Sequence, residues 1–193
     1  AQVLARHGLD APQPVLQRRF VQVFREMTKT PRGVVSAESE YAFWRKLVMD
    51  VVEPWATGPL AEGVFEDAYR AFADAANWRA PEGADELLAG LVTKGYRLAL
   101  LSNADARCRK ILEDMNLARH FSHVFLSCEL GFEKPDLRLF RKVEGILGAA
   151  PSEILHVGDS ARNDGEGPRA AGWQALVIGK EIASLVEVGK LLP

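Results

Sequence analysis

Apolar positions recur at helical spacing through the first part of the chain, and near residue 79 they give way to alternating helix-like and strand-like runs. Leu16, Phe20, Val23 and Phe24 share one helical face after the turn-forming Asp10-Ala11-Pro12-Gln13-Pro14. Tyr41, Trp44, Leu47, Val48 and Val51 repeat the pattern after Ser36, a suitable N-cap. A third face carries Leu60, Val64, Phe65, Ala68, Tyr69 and Phe72, set off from the second by Pro54 and Gly58-Pro59. Residues 1–78 thus read as a small helical bundle without a strand.

The rhythm changes at Arg79-Ala80-Pro81-Glu82-Gly83. Helical stretches at 84–94, 107–115, 137–147 and 168–171 alternate with apolar runs at 97–101, 124–126, 154–157 and 175–178. Such alternation predicts parallel strands joined by crossover helices. Continuous apolar runs such as Leu98-Ala99-Leu100-Leu101 fit strands covered on both faces. The expected fold is α/β, a Rossmann-like parallel sheet at 79–193 with a helical domain at 1–78.

Composition narrows the partners. At 193 residues and 48% hydrophobic, the chain can bury one sizeable core and a small accessory domain. Its formal charge is −2, and no block of like charges suggests a nucleic-acid arm. No apolar run approaches the roughly 20 residues of a membrane span. Cys108 and Cys128 fit no metal-ligand spacing and read as free thiols, which suits a reducing cytoplasm.

Candidate chemistry gathers at strand ends, where ligands of α/β sheets collect. The run ending Leu101-Ser102-Asn103 offers a hydroxyl and an amide to a phosphate or carboxylate oxygen. In Glu133-Lys134-Pro135-Asp136 the lysine precedes a proline expected in the first turn of a helix, whose free N–H groups would add to the attraction for an anion. The turn Gly158-Asp159-Ser160-Ala161-Arg162-Asn163-Asp164 brings two carboxylates suited to a hard cation. Each motif alone suits an ordinary turn or a solvated charge; their order carries the inference.

In that order, Ser102-Asn103, Lys134-Pro135-Asp136 and Gly158-Asp159 through Asp164 resemble the haloacid dehalogenase-like hydrolase superfamily. The resemblance covers essentially the whole chain, with residues 1–78 as the helical cap. It implies Mg²⁺-dependent hydrolysis of a small phosphate monoester. Ser102 would hold a phosphate oxygen with Asn103 beside it, and Lys134 would neutralise the phosphate and the attacking carboxylate. Asp159 would ligate Mg²⁺, and Asp164 would support the metal or position Lys134. The partner is then a small phosphorylated metabolite, not nucleic acid or membrane.

The family's nucleophile is an aspartate ending the first core strand, in an Asp-x-Asp motif, and no two aspartates here lie two positions apart. The chain opens inside a helical pattern, Val3-Leu4-Ala5-Arg6-His7-Gly8, so a strand and a loop are expected to be absent through truncation. By the family's architecture that strand lies between those carrying Ser102 and Asp159, and its loss would leave two inner edges unpaired. The chain as it stands is expected to be inactive. Two rivals remain: a 2-haloacid dehalogenase, which needs no metal and whose acidic loop opens with serines rather than Gly-Asp, and a non-catalytic binding or regulatory protein that keeps the pocket. Gly165-x-Gly167-x-x-Ala170 does not directly leave a strand, and His120-x-x-His123 lacks a third ligand. His156, inside an apolar run, reads as a core histidine, and Tyr41, Phe43, Trp44 and Trp55 as cap core.

Overall fold

A computed structural model describes residues 1–30 and 32–192. Four helices open the chain: α1 (Gln2–Arg6), α2 (Gln13–Met27), α3 (Ala37–Val52) and α4 (Gly58–Ala73). Their boundaries follow local chemistry. Pro12 caps α2, and Pro59 lies in the first turn of α4, where a missing N–H costs no helix bond. Ser36 opens α3 with a reciprocal cap: its Oγ accepts the Ser39 N–H at 3.2 Å, and Ser39 Oγ accepts the Ser36 N–H at 2.8 Å. Leu4, Leu47, Val51, Val52, Ala61 and Val64 form the bundle's core. Burying side chains such as Leu47 and Val64 contributes about 1.5–3 kcal/mol each.

The second region runs α5 (Ala84–Thr93), β1 (Ala99–Ser102), α6 (Arg107–Asp114), β2 (His123–Leu126), α7 (Ser127–Leu130), α8 (Leu137–Leu147), β3 (Leu155–Gly158), a π-helical turn (Ala161–Glu166), α9 (Gly167–Ala170), β4 (Gln174–Val177) and α10 (Val188–Leu191). Its core gathers Phe125, Leu139, Phe140, Val143 and Trp173. The alternation predicted from the hydrophobic pattern is present, and the result is an α/β Rossmann-like fold with a helical cap. No helix among the described residues is long and apolar enough to cross a membrane.

The strands form two parallel pairs rather than one sheet. β1 pairs with β2 in the register Ala99↔His123 to Ser102↔Leu126, and β3 pairs with β4 from Leu155↔Gln174 to Gly158↔Val177. Between the pairs lies a cavity of about 1800 Å³, lined by residues 98–103 on one side and 155–160 on the other. Leu91 of α5, Ile111 of α6 and Val188 of α10 add apolar walls. The inner edges of β1 and β3 are therefore unpaired among the described residues, an arrangement that the family resemblance implied.

One local expectation is corrected. Pro135 does not sit in the first turn of a helix: α8 begins at Leu137, Asp136 is its N-cap, and the Lys134-Pro135 bond is cis. Asp136 Oδ1 accepts the Arg138 N–H at 2.9 Å, so this helix end is occupied by its own cap. Lys134 therefore does not stand at a helix N-terminus.

Candidate active site

Lys134 stands between the two strand pairs. Its Nζ donates to the Leu101 carbonyl at the end of β1, at 3.0 Å, and to Asp164 Oδ1 beyond β3, at 2.6 Å. The ammonium thus bridges the halves across the cavity, with its side chain only 10% exposed. Asn103 holds the backbone beneath it. The Asn103 amide donates to the Lys134 carbonyl at 2.9 Å, and its Oδ1 accepts the Lys134 N–H at 2.7 Å. Both polar ends of Asn103 bond to the lysine turn, and its Nδ2 keeps a second N–H.

Asp164 is surrounded by donors. Oδ1 accepts from Lys134 and lies 2.9 Å from His156 Nε2, while Oδ2 accepts the Ser160 N–H at 2.9 Å. Burial by itself would raise its pKa. The His156 hydrogen bond, the Lys134 charge and the Ser160 N–H outweigh that and hold the carboxyl well below the ordinary carboxylate range. Glycines make the close approach feasible. A Cβ at Gly158 would lie 2.6 Å from Asp164 Cβ, and one at Gly167 would lie 2.8 Å from Pro135 Cβ, so both positions exclude larger side chains.

Ser102 and Asp159 are the uncommitted members. Ser102 ends β1 and lines the cavity, and its hydroxyl has no hydrogen-bond partner among the described residues. Asp159 also lines it, exposed and equally unpartnered. The structure brings Ser102, Asn103, Lys134, Asp159 and Asp164 to one cavity. For a hard cation these donors are right in kind and short in number: Asp159 is free, both Asp164 oxygens are occupied, and no group of three candidate ligands occurs among the described residues. Mg²⁺ favours six oxygens, several of them water or phosphate.

Two groups escaped the sequence reading. His156 is not merely a core histidine, since it binds Asp164; an imidazole within an otherwise apolar strand was the only available signal. The second is Arg32, in the loop before α3. It donates to Glu40 Oε1 at 2.8 Å and to Glu133 Oε2 at 2.5 Å, stacks over Phe43 at 4.2 Å, and leaves Nη1 buried without a partner. The adjoining Val35 N–H donates to the Gly131 carbonyl at 2.9 Å, so the cap is tied to the loop leading to Lys134. No sequence pattern marked Arg32.

The remaining assignments lie outside the site or on its cap side. His120 pairs with Asp85 at 2.7 Å, and His123 stacks on Phe125, so the two do not converge. Cys108 and Cys128 are free thiols, and burial, with Glu129, Asp105 and Glu40 nearby, pushes Cys128 up to about 11. Phe43, Trp44 and Trp55 pack on the cap core as expected, although Phe43 and Trp44 also line the cavity, whereas Tyr41 is exposed and hydrogen-bonds Glu66.

An α/β core with a bridging lysine and an acidic loop, roofed by helices, defines a hydrolase of the haloacid dehalogenase-like class. The model of the haloacid dehalogenase-like hydrolase family matches residues 2–172, and the chain belongs to that family. It is 32% identical over 184 residues to the human haloacid dehalogenase-like hydrolase domain-containing protein 3, covering 91% of this chain and 72% of that one. It is 34% identical over 185 residues to a phosphoserine phosphatase of Thermus thermophilus, covering 84% and 73% respectively. The magnesium-bound HAD-hydrolase YfnB of Bacillus subtilis shares the fold at a TM-score of 0.77 and 19% identity, over 99% of this chain and 87% of that one.

Proposed function

We propose that this chain carries most of the site of a Mg²⁺-dependent phosphatase acting on a small phosphorylated metabolite, and that the attacking aspartate arrives on a strand filling the slot between β1 and β3. The observation that carries this reading is Lys134 Nζ, held between Leu101 O and Asp164 Oδ1 at the end of that slot. A buried, fixed cation at the junction of two strand ends suits the charge spread over phosphoryl oxygens. The phosphoserine phosphatase relative agrees with phosphoryl chemistry, and Gly158-Asp159 in the acidic loop favours it over a dehalogenase.

Ser102 holds a phosphoryl oxygen through its free hydroxyl. Lys134 neutralises a second oxygen and the attacking carboxylate, while Asn103, Asp164 and His156 hold Lys134 in place. Asp159 is the metal ligand with free oxygens, and Asp164 serves the metal only indirectly, through the lysine network. The metal when bound supplies electrophilic stabilisation of the phosphoryl oxygens. A carboxylate oxygen on the inserted strand forms a bond to phosphorus as the ester P–O bond breaks, the leaving oxygen takes a proton, and water then cleaves the phosphoaspartate. The free thiols fit a cytoplasmic setting.

Without such a carboxylate no phosphate release is expected. Joining an extended segment ending in Asp-x-Asp ahead of Ala1 should produce phosphate release that depends on Mg²⁺. Changing the first aspartate of that segment to Asn should then cost on the order of a million-fold. Halide release from a 2-haloacid, indifferent to Mg²⁺, would replace this reading with the dehalogenase; phosphate binding with no turnover would replace it with a binding protein.

A further inference from the structure

We propose that Arg32 is a positioning residue for Lys134, fixing the lysine turn from the cap through Glu133; this deepens the phosphatase reading and rests on it. The segment between α7 and α8 carries Lys134, and the core holds it at several points. Lys142 Nζ donates to the Leu130 carbonyl at 3.0 Å, Arg138 lies over the Phe132 ring at 4.3 Å, and Asn103 bonds both ways with the Lys134 backbone. Two further anchors come from the cap. The Val35 N–H donates to the Gly131 carbonyl at 2.9 Å, and Arg32 holds the side chain of Glu133, the residue next to the lysine.

The grip on Glu133 is firm and directional. Arg32 Nε and Nη2 both donate to Glu133 Oε2, at 3.0 and 2.5 Å, and the Arg32 backbone N–H donates to Oε1 at 3.4 Å. Side chain and main chain of one cap residue thus hold one carboxylate, in a pair whose side chains are 21% and 16% exposed and therefore weakly screened. The guanidinium is steadied from its own domain by Glu40 Oε1 and by the Phe43 ring beneath it. Nη1 is left buried and unmet. Buried donors are ordinarily met and an unmet one is unfavourable, so the arrangement favours the aim at Glu133 over the arginine's own satisfaction.

Lys134 depends on where its turn stands. Its ammonium sits on a flexible stem and reaches Leu101 O and Asp164 Oδ1 from the present position of the backbone. A displacement of about 1 Å at a reacting site can cost on the order of 100-fold. Arg32 touches neither lysine nor phosphate; it acts through the carboxylate beside the lysine.

The test uses the chain itself with Mg²⁺, measuring inorganic phosphate affinity by calorimetry and deuterium exchange at the Lys134 amide by NMR. Glu133→Gln keeps the size of the side chain and removes its charge. Losing a negative charge near an anion site would by itself tighten phosphate binding, so a weakening reports the turn. Glu133→Gln should weaken phosphate about fivefold and speed exchange at the Lys134 amide about tenfold. Arg32→Gln should do the same, and the double variant should be within about twofold of either, because all three remove one tie. Glu40→Gln takes the other carboxylate from Arg32 without touching the turn and should not weaken phosphate; should Arg32→Gln fail to fold, Glu133→Gln against Glu40→Gln decides. Undiminished phosphate affinity in Glu133→Gln, whatever its exchange, would make the tie merely structural and overturn the proposal. Additive losses in the double variant, or an equal loss in Glu40→Gln, would overturn it too. Failure of the unmodified chain to bind phosphate would instead remove the phosphatase reading, and the part given to Arg32 with it.

Discussion

Two buried ion networks flank the cavity, and they are built on opposite principles. In the core, one carboxylate, Asp164, receives Lys134, His156 and the Ser160 N–H. At the seam between cap and core, one guanidinium, Arg32, serves two carboxylates, Glu40 and Glu133, and leaves a buried N–H unpaired. The electrostatic outcomes diverge accordingly. Asp164 is held low despite its burial, whereas burial prevails over Arg32 at Glu40 and raises its carboxyl. Surplus donors make a rigid anion; surplus acceptors make one that resists ionising.

The largest effect expected from breaking this contrast is at Asp164. Asp164→Asn leaves the Lys134 ammonium buried without its counter-charge and should cost about 3–5 kcal/mol at pH 7, read from the urea midpoint. A loss below 1 kcal/mol would mean that water reaches the lysine freely. Gly158→Ala attacks the same network sterically, and its Cβ should cost about 1–3 kcal/mol through displacement of Asp164.

Acid titration sharpens the comparison, because the two networks have opposite signs. The native Asp164 carboxyl lies below its unfolded value, so its stabilisation is present above pH of about 4 and is lost as pH falls through the native value. The native Glu40 carboxyl lies above its unfolded value, so a penalty grows as pH rises from about 4 through the native value and then stays constant. Glu40→Gln should therefore flatten the stability profile just above pH of about 4 and change stability at pH 7 by no more than about 1 kcal/mol. A Glu40→Gln profile parallel to the unmodified chain's would contradict the raised carboxyl.

The smallest effect concerns Cys128, whose thiol is pushed up to about 11 by burial first, then by Glu129, Asp105 and Glu40. Iodoacetamide should modify it slowly at pH 8, with the rate still climbing beyond pH 10. Glu40→Gln removes one of the lesser negative neighbours and should speed the reaction slightly, whereas Asp164→Asn in a folded sample should not.

Much of this architecture was legible along the chain. The Ser36 cap, Pro59 in the first turn of α4, and α8 from Leu137 to Leu147 follow from neighbouring residues, and the helix–strand alternation followed from periodicity. The motif order also brought out Ser102, Lys134, Asp159 and Asp164, which do line one cavity. The parts that residues perform were less legible. Asn103, expected beside a phosphate oxygen, also grips the Lys134 backbone with both its polar ends, and His156, expected in the core, also bonds to Asp164. Pro135 looked like a helix starter, but the cap at Asp136 places it ahead of α8.

The sequence by itself determined the helices, the strands, the family and the chemical character of the strand ends, because these depend on residues close together or on short motifs in a set order. Only the tertiary structure decided that Lys134 spans two separate strand pairs, that Arg32 reaches Glu133 from a distance of 101 residues, and that aromatic rings from successive cap helices meet. Those outcomes rest on side chains distant in the chain competing for the same buried space, where desolvation and hydrogen-bond supply choose the partner and periodicity carries no record of the choice.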